Sequence, residues 1–166
     1  MKNNSILFLT QAAMIAALYV VLTILFAPFS FGEIQVRIAE SLTILPFFTP
    51  AAIPGLFAGC IIANLVGGAI LPDILFGSLA TLIGAFFTYT LRRKNRFLAP
   101  VPPIMANTLI IPLLLRYAYG INLPIYYLML SVGIGEIISC GVLGMILFAA
   151  LYKYRHKLFP PISRSR

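Results

Sequence analysis

The sequence predicts an all-α integral membrane bundle of six transmembrane helices with both termini in the cytoplasm. Three observations predict it: a composition suited to lipid rather than water, a succession of long apolar runs, and basic residues concentrated in two flanks that six crossings bring to one side. Of the 166 residues, 61% are hydrophobic and 10% charged, and the mean hydropathy is +1.01. A water-soluble domain carries about 25% charged residues because its surface faces water. Lipid must therefore cover most of this chain.

The first run, about 6–27, has only Lys2 ahead of it and no small-residue cleavage site. It is longer than a signal-peptide core, so it reads as a retained span. The polar stretch Ser30 to Arg37 leads to a second run, about 38–49, which is short and punctuated by Pro46 and Pro50. The third run is about 54–71. The fourth, about 74–91, stops at Arg92-Arg93-Lys94-Asn95-Arg96. The fifth is about 101–117 and the sixth about 124–152. Crossing the hydrocarbon core takes roughly 20 helical residues, so length alone leaves the second run in doubt. Charge decides in its favour: with six spans, the Arg92–Arg96 loop and the tail from Lys153 to Arg166 share one side, as the positive-inside rule requires. The short second helix must then be shielded by neighbours or sit in a locally thinned bilayer. No repeat, low-complexity tract or soluble domain is evident, so residues 1–166 read as one membrane domain.

The net charge of +8 is explained by those same flanks, as a topology signal with attraction to anionic lipid headgroups, and no nucleic-acid partner is expected. Cys60 and Cys140 lie inside apolar runs and read as small hydrophobes, with neither a disulfide nor a metal site indicated. There is no phosphate loop, His-Glu-x-x-His or Gly-x-Ser-x-Gly, and the single histidine, His156, falls in the basic tail. An enzyme is not expected, nor a cofactor.

The acids Glu33, Glu40, Asp73 and Glu136 all fall at or near the predicted outer ends of segments, with Arg37 and Arg116 beside them. Simple tolerance at the interface accounts for such a pattern, but ionisable groups at membrane depth also mark function. Arg37 and Glu40, three apart, share a helix face and form either an ion pair or a carboxylate oriented for a ligand. Asn64 and Asn107 lie in apolar runs, where an amide bonds another helix or a ligand. Glu136 follows Gly133-Ile134-Gly135, which permits close approach of a backbone or ligand. Phe29, Phe31, Tyr117, Tyr119, Tyr126 and Tyr127 gather near the same edge, as an interfacial belt or as platforms for a flat heterocycle. In the first span, Ala12/Ala16 and Ala13/Ala17 set small residues four apart, which serves internal packing or a partner subunit.

The stretch from Phe31 to Leu56, with Gln35-Val36-Arg37-Ile38-Ala39-Glu40 at its heart, resembles the QueT family. So do Cys60 to Leu65, Phe76 to Leu82, Leu98 to Pro103 with Asn107, and Val132-Gly133-Ile134-Gly135-Glu136. QueT proteins are similar to substrate-capturing S components of energy-coupling factor (ECF) importers, assigned to a queuosine precursor of 7-deazaguanine type. The resemblance implies a multi-pass protein of the cell membrane with a small-molecule site near the outer face. It also implies an energising module of one membrane coupling subunit and two ATPases, docked through small residues of the first helix: Ala12, Ala13, Ala16 and Ala17 here. It makes Glu40 and Glu136 the acceptors for the ring's adjacent N–H donors. Glu33 or Asp73 would then meet a cationic substituent and Arg37 and Gln35 the carbonyl. Asn64 and Asn107 would complete the lining, with Tyr126 available to stack. The alternatives are an S component for another vitamin-like heterocycle and a stand-alone channel or facilitator.

Overall fold

The computed structural model describes residues 2–26 and 37–159. In chain order its elements are α1 (Lys2–Leu25), α2 (Ile38–Phe47), α3 (Ala52–Val66), α4 (Leu71–Leu91), a short turn of 3₁₀ helix (Arg96–Leu98) and α5 (Val101–Tyr117). The last helix, α6, runs through three stretches: Ile125–Glu136, a π-helical Ile137–Leu143, and Gly144–Leu158. The described residues contain no strand, and the all-α expectation holds. Among the described residues, four stretches are long and apolar enough to cross a membrane: Asn4–Leu25, Leu71–Leu91, Arg96–Tyr117 and Ile125–Arg155. Ile38–Phe47 and Ala52–Val66 are apolar but shorter.

Local chemistry sets the boundaries. α3 stops at Val66 because Gly67 and Gly68 follow, the latter at φ 74°, a conformation that suits glycine. α4 starts at Leu71, ahead of the expected 74, because Ile70 is extended and Pro72 fits the first helical turn. α5 likewise opens on Val101-Pro102-Pro103, and Gly120 at φ 69° turns the chain after it. α6 reaches Leu158, past the expected 152, because nothing breaks the helix there.

α2 departs most from expectation. It is wound as a 3₁₀ helix over its 10 residues, with Pro46 inside it. At about 2.0 Å rise per residue it is about 20 Å long, against about 15 Å for an α-helix of the same length. This winding stretches a short segment. Ala39 to Pro46 are all buried, and α2 packs against α1, α3, α4 and α6, so its neighbours shield it on every side. Around it lies the main core, with Ile15 and Tyr19 of α1, Leu56 and Cys60 of α3, and Phe148 of α6.

Glycines let the helices close on one another. A Cβ built at Gly55 would lie 2.7 Å from the Ala12 carbonyl oxygen, and one at Gly59 would lie 2.9 Å from Tyr19 Cβ and 3.0 Å from Ala16 Cα. α1 therefore lies backbone-to-backbone on α3, with Ala12 and Ala16 in the seam. Ala13 and Ala17 are exposed on its opposite face, among Leu9, Met14, Leu18 and Val21. Gly84 meets Pro103 in the same manner, at 2.7 Å, and joins α4 to α5.

Overpacking costs about 1–3 kcal/mol where the neighbouring atoms are backbone and cannot yield. Gly55→Ala should lower the unfolding midpoint in detergent by that order. Gly141→Ala, whose Cβ would meet its nearest neighbour at 3.7 Å, should be near neutral by the same thermal scan.

Candidate functional site

Two carboxylates meet in the middle of the bundle. Glu40 stands in the first turn of α2 and is fully buried, and Glu136 ends the first stretch of α6 at 3% exposure. On a helix beginning at Ile125, Glu136 is about 16 Å from the helix start. Glu40 does stand at the start of its segment, as expected, enclosed by other helices, whereas Glu136 lies well inside its own.

Each is met by donors from other helices. The Tyr19 hydroxyl of α1 donates a hydrogen bond to Glu40 Oε1, and Thr81 of α4 donates to the same oxygen at 3.4 Å. Asn107 of α5 donates its amide N–H to Glu136 Oε1 at 2.9 Å, and the Cys140 thiol donates to Glu136 Oε2 at 3.1 Å. Cys140 Sγ also approaches Thr43 Oγ1 at 3.3 Å and the Glu40 carbonyl at 3.4 Å. The π-helical stretch starts immediately after Glu136 and carries Cys140. Such insertions frequently sit at functional sites, because the extra residue re-aims side chains. Glu40 Oε2 is buried without a hydrogen-bond partner.

A second group flanks the first. Asp73, near the start of α4, accepts from the Tyr119 hydroxyl at 3.0 Å and faces Arg37 Nη2 at 3.8 Å. Arg37, expected to pair with Glu40, is thus bridged to Asp73. Asn64 of α3 donates to the Asp73 carbonyl at 3.4 Å and to Cys60 Sγ at 3.6 Å. A Cβ at Gly77 would crowd Asp73 Oδ1 at 3.0 Å, so glycine keeps that carboxylate's space open.

Glu40, Glu136, Asn107, Arg37, Asp73 and Asn64 are therefore all buried and assembled from five helices or their ends. Tyr126 stands apart at 73% exposure, and Glu33 and Gln35 lie outside the described residues. Among the described residues, the buried acids Glu40, Asp73 and Glu136 outnumber the buried cation Arg37. An unpaired oxygen and an excess of acidic over basic side chains, at a depth where ionisation is costly, suit a ligand rich in N–H donors or bearing positive charge. Glu40, Glu136 and Cys140 also place one ligand atom each within 4.8 Å of one another, a mixed carboxylate–thiol donor set.

Tyr19, Thr43, Thr81 and Cys140 were missed as members, and Tyr119, read only as one of the edge aromatics, acts through its hydroxyl. Tyr19 carried a signal, since a buried tyrosine hydroxyl in an apolar span needs a partner. Cys140, four residues after Glu136, carried a second. The threonines carried none, being indistinguishable from those that bond their own helix, as Thr10 does to Ile6 at 2.9 Å.

Asn107→Leu should strip the donor from Glu136 Oε1 and destabilise the ligand-free protein by about 1–3 kcal/mol, read by thermal unfolding. Outside the spans, Tyr119 keeps its proton above the ordinary phenol value of 10.0, because burial and then the charge of Asp73 disfavour phenolate. A raised value in the folded state means its contribution is present below pH 10.0 and lost as pH climbs through the raised value. Tyr119→Phe should remove that part of the alkaline loss of stability.

The QueT transporter family model matches residues 9–153. Among curated proteins, the queuosine precursor transporter QueT of Lactococcus lactis subsp. cremoris (strain MG1363) is 34% identical over 85 residues. That match covers 50% of this chain and 50% of the relative, so it spans about half the length of that protein. No solved structure matches. With the family model covering most of the chain, this protein belongs to the QueT transporter family.

Proposed function

We propose that the chain is the substrate-capture subunit of an ATP-driven ECF importer, binding a queuosine precursor of 7-deazaguanine type from the outer face. The observation that carries this reading is the pair of buried carboxylates, one with an open oxygen, inside a member of a transporter family. The Lactococcus relative, named for queuosine precursor transport, supports the ligand class. A guanine-like ring offers adjacent N–H donors on one edge, matched by Glu40 and Glu136. Asp73 would receive a cationic substituent, Arg37 and Gln35 the ring carbonyl, and Asn64 and Asn107 the remaining polar edge. Glu33 and Tyr126 remain proposed contributors at the entrance.

In this reading the chain, as one membrane domain, crosses the cell membrane six times with both termini cytoplasmic. α2 is carried across inside the shell of its neighbours, whereas α3 keeps an exposed apolar face with Ile62, Leu65 and Val66. ATP hydrolysis belongs to two separate ATPases reached through a membrane coupling subunit. The outward face of α1 suits that docking: Ala13 and Ala17 leave a shallow, apolar track, whereas Ala12 and Ala16 are occupied by α3.

Calorimetry on the purified protein tests the ligand. It should bind 7-deazaguanine precursors tightly, guanine and riboflavin weakly, and lose binding in Glu40→Ala and Glu136→Ala. A folded sample that binds none of them would return the ligand to unknown and favour a stand-alone channel. Docking has its own test: Ala13→Leu with Ala17→Leu should prevent co-purification with ATPases while leaving ligand affinity intact. Undiminished co-purification would move the docking face elsewhere.

A further inference from the structure

We infer that Tyr19 is a positioning residue that makes the grip of Glu40 on its ligand depend on where α1 sits; the inference rests on the capture function proposed above. Most carboxylate oxygens of the central pair are already engaged. Glu40 Oε1 accepts from Tyr19 and Thr81, Glu136 Oε1 from Asn107, and Glu136 Oε2 from Cys140. Glu40 Oε2 alone among these four oxygens is without a partner, and it is the acceptor left for a ligand. The donors on Oε1 determine which oxygen stays free and how the carboxylate plane is turned. Thr81 reaches Oε1 only at 3.4 Å and is bonded also to the Gly77 carbonyl at 3.2 Å, so Tyr19 is the dominant of the two.

Tyr19 has little freedom of its own. Its side chain is 2% exposed within the main core, and its Cβ presses on Gly59 of α3. Thr23 Oγ1 caps its carbonyl at 2.9 Å. The hydroxyl therefore moves with α1 as a body. The same helix turns Ala12, Ile15 and Tyr19 inward and Ala13 and Ala17 outward, so one rigid element touches both the acid cluster and the outer surface. A displacement of α1 by a partner bound to its outward face withdraws the Tyr19 hydroxyl, frees Glu40 to rotate, and weakens the ligand's hold. Linkage makes the effect reciprocal: ligand bound to Glu40 biases α1 toward its seated position.

The test uses the full chain in detergent, with 7-deazaguanine as probe. Tyr19→Phe keeps the ring and removes the hydroxyl, and should weaken binding about tenfold or more, the loss expected for a hydrogen bond to a carboxylate. Gly59→Ala, which pushes on α1 at Ala16 and Tyr19, should weaken binding in the parent but add nothing in the Tyr19→Phe background. Equal losses in both backgrounds, or parent-like binding by Tyr19→Phe, would overturn the inference and leave the functional reading standing. A ligand-free readout separates the two ideas. The infrared carboxyl band that Glu40→Gln removes should shift in Tyr19→Phe and in Gly59→Ala. An unmoved band refutes the role of Tyr19 whatever the parent binds, whereas a parent that binds no 7-deazaguanine refutes the functional reading alone.

Discussion

Glu40 is fully enclosed by apolar helices, and a carboxylate in that position costs several kcal/mol unless its surroundings supply donors. Its carboxylate donors come from other helices, while on α2 itself the Thr43 hydroxyl donates to the Glu40 backbone carbonyl at 2.6 Å instead. Tyr19 from α1 and Thr81 from α4 meet it directly, and through Cys140 the backbone of Glu40 is tied to α6. One buried acid thus constrains the positions of three other helices. The close glycine seams of α1 on α3 and of α4 on α5 bring those donors within reach. Loosening either seam would leave the carboxylate under-bonded rather than merely repacked.

The unusual backbone lies next to the same residue set. α2 is wound as 3₁₀ helix from Ile38 to Phe47, longer than such runs commonly extend, and α6 changes to π geometry from Ile137 to Leu143. Both departures face one another across the pair Glu40–Cys140, where Gly144 permits the approach of Ile44 to within 3.2 Å of a built Cβ. Ordinary α-helical winding would shorten α2. Departures from regular geometry that persist in a packed interior are held by their surroundings, and they cluster where side chains must be aimed.

Much of this was legible in the sequence. Apolar runs and basic flanks pointed to six helical segments, since lipid allows few ways to satisfy a backbone, but the third helix ends at Val66 and the last runs on to Leu158. The acids and amides stood out as costly residues, and Glu40, Glu136, Asn107, Asn64, Arg37 and Asp73 do converge. Depth and partners were less legible. Hydrophobic pattern gives a segment's limits but not its winding, so the stretched α2 and the π stretch in α6 were invisible. The partner of Arg37 was misread because spacing along one helix says nothing about Asp73, brought in from α4. The duplicate alanine motif shows the same limit: sequence could not say which register faces inward, whereas the Gly55 and Gly59 seam selects Ala12 and Ala16.

The central claim is that Glu40 and Glu136 form the floor of a ligand site rather than a structural polar knot. The most direct measurement is an experimental structure of the protein with a 7-deazaguanine precursor bound. The account predicts ring nitrogens within hydrogen-bond distance of Glu40 Oε2, with Glu136 and Asn107 on the adjoining edge. A ligand seated elsewhere, with Tyr19, Glu40, Asn107 and Glu136 still bonded only to one another, would contradict it.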